Sequence, residues 1–115
     1  MWWRIAGVTG ALGVLLGAFG AHGLKGRVTD PHLLEVWDTA ARYHLLHALA
    51  LGLVAVHPRR PTSAGVAFVL GILLFSGSLY AMTLTGVRAL GAVTPLGGLS
   101  FITGWVLLAA LPQKA

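Results

Sequence analysis

His44 and His47 stand one helical turn apart in WDTAARYHLLHALAL, residues 37–51, and Tyr43 directly precedes the first of them. Two imidazoles at H-x-x-H spacing share a helix face. They could bind a metal, relay protons near neutral pH, or tie helices together by hydrogen bonds. The metal reading is the weaker one. No glutamate lies within the motif, so the metalloprotease pattern H-E-x-x-H is absent, and Glu35 and Asp38 are the only carboxylates nearby. A haem needs axial ligands from facing helices, whereas these imidazoles share one face. The chain has no cysteine, which excludes disulfides, thiolate metal sites and cysteine nucleophiles. Ser76 or Ser78 makes no triad with His44 and Asp38 by any motif, because no G-x-S-x-G elbow is present. We therefore expect no catalytic residue and no cofactor. His44 and His47 are weak metal candidates, with His22 as a third ligand, and a histidine-based metal-dependent membrane enzyme or metal handler is the alternative reading.

The elements that must carry these residues are apolar. The chain has 115 residues, of which 57% are hydrophobic and only 10% charged. A soluble domain carries roughly 25% charged residues. The formal net charge of +5 comes from eight scattered Lys and Arg against three acidic residues. No basic run follows a phosphate backbone, so no nucleic-acid partner is expected. Four continuous apolar runs predict an all-α membrane protein, with spans at about 4–24, 38–57, 62–84 and 90–111 in one integral domain. Short turns make neighbours antiparallel, an up-down-up-down bundle. The polar stretch KGRVTDPHLLEVW, residues 25–37, predicts a short interfacial helix between the first two spans, capped by Asp30 with Pro31 at its first position. A cleaved signal peptide is the rival for the first run. That run exceeds the usual ~7–15 apolar residues of a signal core, and Gly10, Gly13, Gly17 and Gly20 repeat at helix-packing spacing. These glycines predict close packing against a neighbour, in this chain or in a second copy. The protein is expected in the cell inner membrane. Lys and Arg divide evenly between its two sides, and we place both termini in the cytoplasm.

Folding four spans up and down gathers the polar residues on one side: His22, then Tyr43, His44 and His47, then Ser76, Tyr80 and Thr83, then Thr94. A polar side chain facing lipid is costly, so these stripes should face the bundle interior. His44 would lie roughly 9 Å and His47 roughly 13 Å below Asp38 along the helix. The opposite half has no polar file, which argues for a one-sided pocket rather than a channel. The run Thr94-Pro95-Leu96-Gly97-Gly98 reads as an ordinary helix start with tight glycine packing, with local unwinding beside the pocket as its alternative.

Four blocks carry a family resemblance: GAFGAHGL at 17–24, WDTAARYHLLHALAL at 37–51, FSGSLYAMTLTG at 75–86 and GAVTPLGGLSFITGW at 91–105. In order and spacing they resemble the small membrane proteins of domain of unknown function 423, a family similar to transmembrane protein 256. The resemblance implies a multi-pass membrane protein of about this size and implies no reaction. We expect a non-enzymatic bundle whose pocket binds a lipid headgroup or small molecule. Membrane lipid is its expected partner, alone, as a homo-oligomer or as a structural subunit of a larger membrane complex.

Overall fold

The computed structural model describes residues 1–112. Residues 113–115, which include the Lys114 counted toward orientation, lie outside the described residues. Every regular element is helical: α1 (Trp2–His22), α2 (Pro31–Val56), α3 (Thr62–Gly71), α4 (Gly77–Thr85) and α5 (Thr94–Ala110). A π-helical turn, Ile72–Ser76, joins α3 to α4 into one continuous span, Thr62–Thr85. Short 3-10 turns lie at Leu24–Gly26 and Arg88–Ala92. Four helical stretches are long and apolar enough to cross a bilayer: Trp2–His22, Pro31–Val56, Thr62–Thr85 and Arg88–Ala110. They pack as a bundle.

The helix limits follow from local chemistry. The Asp30 carboxylate accepts the His32 backbone N–H at 2.9 Å, capping α2, and Pro31 occupies the position where a missing N–H costs nothing. At the other end His57 turns extended before Pro58, as residues preceding proline do. Gly86 ends α4 in the left-handed region with φ 74°. One expectation changes. No separate interfacial helix stands before the second span, because α2 runs unbroken for 26 residues from Pro31. Leu33, Val36 and Trp37 extend the face that continues through Ala40 and His44, so nothing interrupts the helix between them.

Two apolar cores lie at different depths. One collects Trp2, Leu51, Val54, Phe68, Ile72 and Phe101. The other collects Ala40, Leu79 and Met82, with Leu33, Val36, Tyr80 and Leu90 against it. Along α2 and the third span, His44, His47, Ser76 and Ser78 fall between these two cores, while Tyr80 and Thr83 lie at the depth of the second.

Small residues set the approach of the helices. The face of α1 bearing Gly10, Gly13, Gly17 and Gly20 meets α2 of the same chain. A Cβ added at Gly10 would stand 3.9 Å from Ala48, at Gly17 3.9 Å from Ala41, and at Gly20 2.5 Å from the Trp37 ring. Gly97 of α5 lies directly against the backbone of Phe75 in the π turn. With little hydrophobic drive between helices in lipid, close backbone approach of this kind supplies the dispersion contacts that hold them.

Candidate functional site

The interior polar side chains form a layer, centred between the two cores and reaching into both, that is hydrogen-bonded almost throughout. Ser76, fully buried, donates to the Ala40 carbonyl at 2.8 Å, and the small Ala40 side chain is what lets the third span come that close to α2. Ser78 donates to the Phe75 carbonyl at 2.9 Å, which leaves the Thr94 hydroxyl to donate to Ser78 at 2.7 Å. Thr83 is shared between the carbonyls of Leu79 at 2.9 Å and Leu33 at 3.2 Å. Ser100 of α5 donates to the Ala67 carbonyl at 2.7 Å.

The two histidines differ in their partners. His47 is buried, its Nδ1 lies 2.7 Å from the Tyr43 carbonyl, and Trp105 Nε1–H donates to its Nε2 at 3.0 Å. A carbonyl only accepts and an indole N–H only donates, so Nδ1 carries the proton and Nε2 is bare. The ring stacks on Phe101 at 3.6 Å between centroids. Both nitrogens are therefore committed, and His47 has no free lone pair for a metal. His44 is 4% exposed and bonds the Tyr80 hydroxyl through Nδ1 at 2.9 Å. Its Nε2 is buried without a hydrogen-bond partner among the described residues. A group of three His, Cys, Asp or Glu placed to hold a metal is not found among the described residues.

Not every expected member joins this layer. His22 is exposed at the end of α1 and bonds none of the others. Tyr43 is 39% exposed, its ring set between Phe75 at 4.8 Å and Phe101 at 6.4 Å. The polar side chains do not line an open polar cavity, because they are turned onto each other and onto backbone. The space beside them is instead a cleft of about 260 Å³ between α1 and the third span, with His44 of α2 at its floor. Its walls are mostly apolar, with Leu12 and Leu16 from α1 and Val69, Ile72 and Leu73 from the third span, and Thr9 and Tyr80 line it too. Trp105 and Phe101 were not singled out as partners of His47. The signal was available, since an indole N–H within an apolar helix needs an acceptor, and Phe101 lies one turn before it.

Four apolar helices closed by an internal hydrogen-bonded layer define a small multi-pass membrane protein. A family described as "Protein of unknown function (DUF423)" matches residues 16–98. The UPF0382 membrane protein YwdK of Bacillus subtilis is 43% identical over 116 residues, covering 96% of this chain and 94% of that protein. UPF0382 membrane protein C1782.12c of Schizosaccharomyces pombe is 44% identical over 113 residues, covering 92% and 96%. UPF0382 membrane protein SAB0533 of Staphylococcus aureus is 43% identical over 109 residues, covering 88% of each. The chain belongs to this DUF423/UPF0382 membrane protein family. No solved structure matches it.

Proposed function

We propose that the protein is a non-enzymatic binder of one membrane amphiphile, seated in the cleft between α1 and the third span with its polar group at His44. The observation that carries this reading is a mostly apolar cleft of about 260 Å³ whose lining includes the buried His44 and the Tyr80 bonded to it. The surface the cleft offers a guest is mostly apolar, with Thr9, His44 and Tyr80 as its polar lining. Leu12 and Leu73 are exposed on opposite walls and open the cleft toward the acyl chains, which suits a guest arriving from the bilayer. Metal handling has less behind it, since His47 uses both ring nitrogens.

The test is native mass spectrometry of protein purified from its own membrane in mild detergent. The wild type should retain one lipid-sized adduct, and Leu73→Trp, which fills the cleft from its wall, should lose it while staying folded. An adduct equally retained by Leu73→Trp, or no adduct on either protein, would overturn the reading.

A further inference from the structure

The two ends of the bundle differ in charge. Asp30, Glu35 and Asp38 are the only acidic side chains in the sequence, and all three stand in or next to the first turns of α2. Two of them already hold cations there, Asp30 with Arg88 and Asp38 with Arg42. The other end, where α1 and the third span begin and α2 finishes, carries Arg4, Arg59 and Arg60. Asp38 and Val56 are roughly 27 Å apart along α2, so no carboxylate side chain reaches that end. Arg4 and Arg60 are exposed and form no ion pair among the described residues.

A recess of about 320 Å³ opens at this end, lined by Met1, Trp2, Trp3, Ala55, Arg60 and Thr62. Local chemistry fixes the cation at its lip. Pro58 and Pro61 bracket the turn, Pro61 is buried, and the Arg60 N–H donates to the His57 carbonyl at 3.0 Å, which holds Arg60 at φ 43°. No side chain caps the third span after Pro61, so the N–H groups of its first turn are open beside the Arg60 guanidinium. Trp2 is 7% exposed, and its indole N–H has no acceptor among the described residues yet is not fully enclosed. Guanidinium, indole N–H and backbone N–H groups are all donors, which suits an oxyanion. The recess runs on into an apolar groove of about 300 Å³ that shares Met1, Trp2 and Thr62 and is walled by Ile5, Val66, Val69 and Leu70. Trp3, exposed beside it, suits the level of lipid headgroups. We infer that this end of the bundle holds one anionic phospholipid, its phosphodiester at Arg60 and the first turn of the third span, and an acyl chain along Ile5, Val66 and Leu70. A free phosphate would leave the groove unused. A zwitterionic headgroup would bring an ammonium to a surface with no carboxylate side chain to receive it. The site lies at the bilayer surface, apart from the cleft at His44.

The experiment titrates the intact protein in dodecyl maltoside with phosphatidylglycerol and, separately, with phosphatidylcholine of the same acyl chains, and follows bound lipid by native mass spectrometry. The wild type should bind phosphatidylglycerol roughly tenfold more tightly, as one charge-assisted hydrogen bond implies. Arg60→Gly should lose that preference, and glycine adopts a positive φ without strain, so folding is not at issue. Arg42→Gln, at the opposite end, and Leu73→Trp, in the cleft at His44, should keep it. Val66→Trp, which fills the groove, should weaken phosphatidylglycerol binding, and millimolar inorganic phosphate should not displace the lipid. Equal binding of the two lipids by the wild type overturns the inference, as does a preference kept by Arg60→Gly or lost equally in Arg42→Gln. Displacement by inorganic phosphate, or full affinity in Val66→Trp, would make this a site for a free anion and overturn the lipid assignment. Loss of the preference in Leu73→Trp would put the lipid in the cleft at His44, overturning the surface site while the amphiphile reading stands.

Discussion

Alanine at position 97 should destabilise the bundle, whereas alanine at positions 10 and 17 should not. A Cβ at Gly97 would fall on the Phe75 backbone nitrogen and lie 2.7 Å from both the Leu74 carbonyl carbon and the Phe75 Cα. These are backbone atoms, so no side-chain rotation relieves the clash. α5 would have to back away from the π turn, weakening the Ser100–Ala67 and Trp105–His47 bonds that the same helix carries. Overpacking of this kind costs about 1–3 kcal/mol, and alanine's better helix propensity returns at most about 1 kcal/mol. A net loss of about 1–2 kcal/mol is expected. At Gly10 and Gly17 the new methyl would meet only an alanine Cβ at 3.9 Å, an ordinary contact. The propensity gain then stands unopposed, at about 0.5–1 kcal/mol. The three variants can be compared by SDS titration from dodecyl maltoside, following helicity and the monodisperse size-exclusion peak. Gly97→Ala as stable as wild type would show that α5 does not seat on the π turn. Destabilised Gly10→Ala or Gly17→Ala would show that α1 and α2 lie closer than described.

Trp105→Phe should leave His47 Nε2 without its donor, at a cost of about 1 kcal/mol. Histidine ¹⁵N spectra should still show His47 protonated on Nδ1, held by the Tyr43 carbonyl, but with the Nε2 resonance shifted by loss of its donor, and an unshifted Nε2 would refute the Trp105 bond. Asp30→Ala should cost about 1 kcal/mol by removing the cap of α2, while Asp30→Asn keeps a capping oxygen and should stay within about 0.5 kcal/mol of wild type. Asn as damaging as Ala would mean that the exposed ion pair with Arg88 at 3.2 Å, and not the cap, is what matters. Ser76→Ala should lower stability by about 0.6–1.5 kcal/mol, read by the same SDS titration, because it leaves the buried Ala40 carbonyl without its cross-helix donor. A neutral Ser76→Ala would count against the third span being held at that depth by this bond.

The sequence makes the four spans and their turns legible because a bilayer leaves a chain few options. An apolar run must be helical, and Asp30-Pro31, His57-Pro58 and Gly86 mark limits by local chemistry alone. It also places His44, His47 and Ser76 toward the interior, since their spacing puts them on faces that lipid would not tolerate, whereas Tyr43, on the same stripe, is 39% exposed. It does not say which partner each would take. Thr83, Thr85 and Thr103 each bond the carbonyl four residues back in their own helix, at 2.9, 2.6 and 2.8 Å. A hydroxyl with that local outlet carries no information about a neighbouring helix. His22 shows the reverse failure: the up-and-down path brings it to the polar side, but its rotation about α1 leaves it outside the layer. The π turn has no signal in ILLFS, because the extra residue is accommodated by Gly97 on another helix, 21 positions beyond Ser76. The unbroken α2 was hidden by polarity. Glu35 and Asp38 look like a boundary, yet the buried face passes beneath them from Trp37 to Ala40.

The seams between helices differ in kind, and that difference explains where the cleft lies. α1 is fixed to α2 by its glycine face and by Trp37 Nε1–H donating to the Leu16 carbonyl at 2.8 Å. α2 is fixed to the third span through Ser76, His44 and Thr83. The third span is fixed to α5 through Ser78, Ser100 and Gly97, and α5 to α2 through Trp105. Between α1 and the third span no hydrogen bond forms among the described residues, and their one close contact at a glycine is Trp2 packed over Gly65 at the helix ends. In water an unpaired apolar seam would close by the hydrophobic effect. In lipid the acyl chains compete on nearly equal terms with Leu12 and Leu73, so a seam without polar ties or small residues has little to close it. The seam left untied is the one whose cleft has His44 in its lining. A binding cleft there requires no strained element or moving lid, only that this seam lacks what holds the others shut.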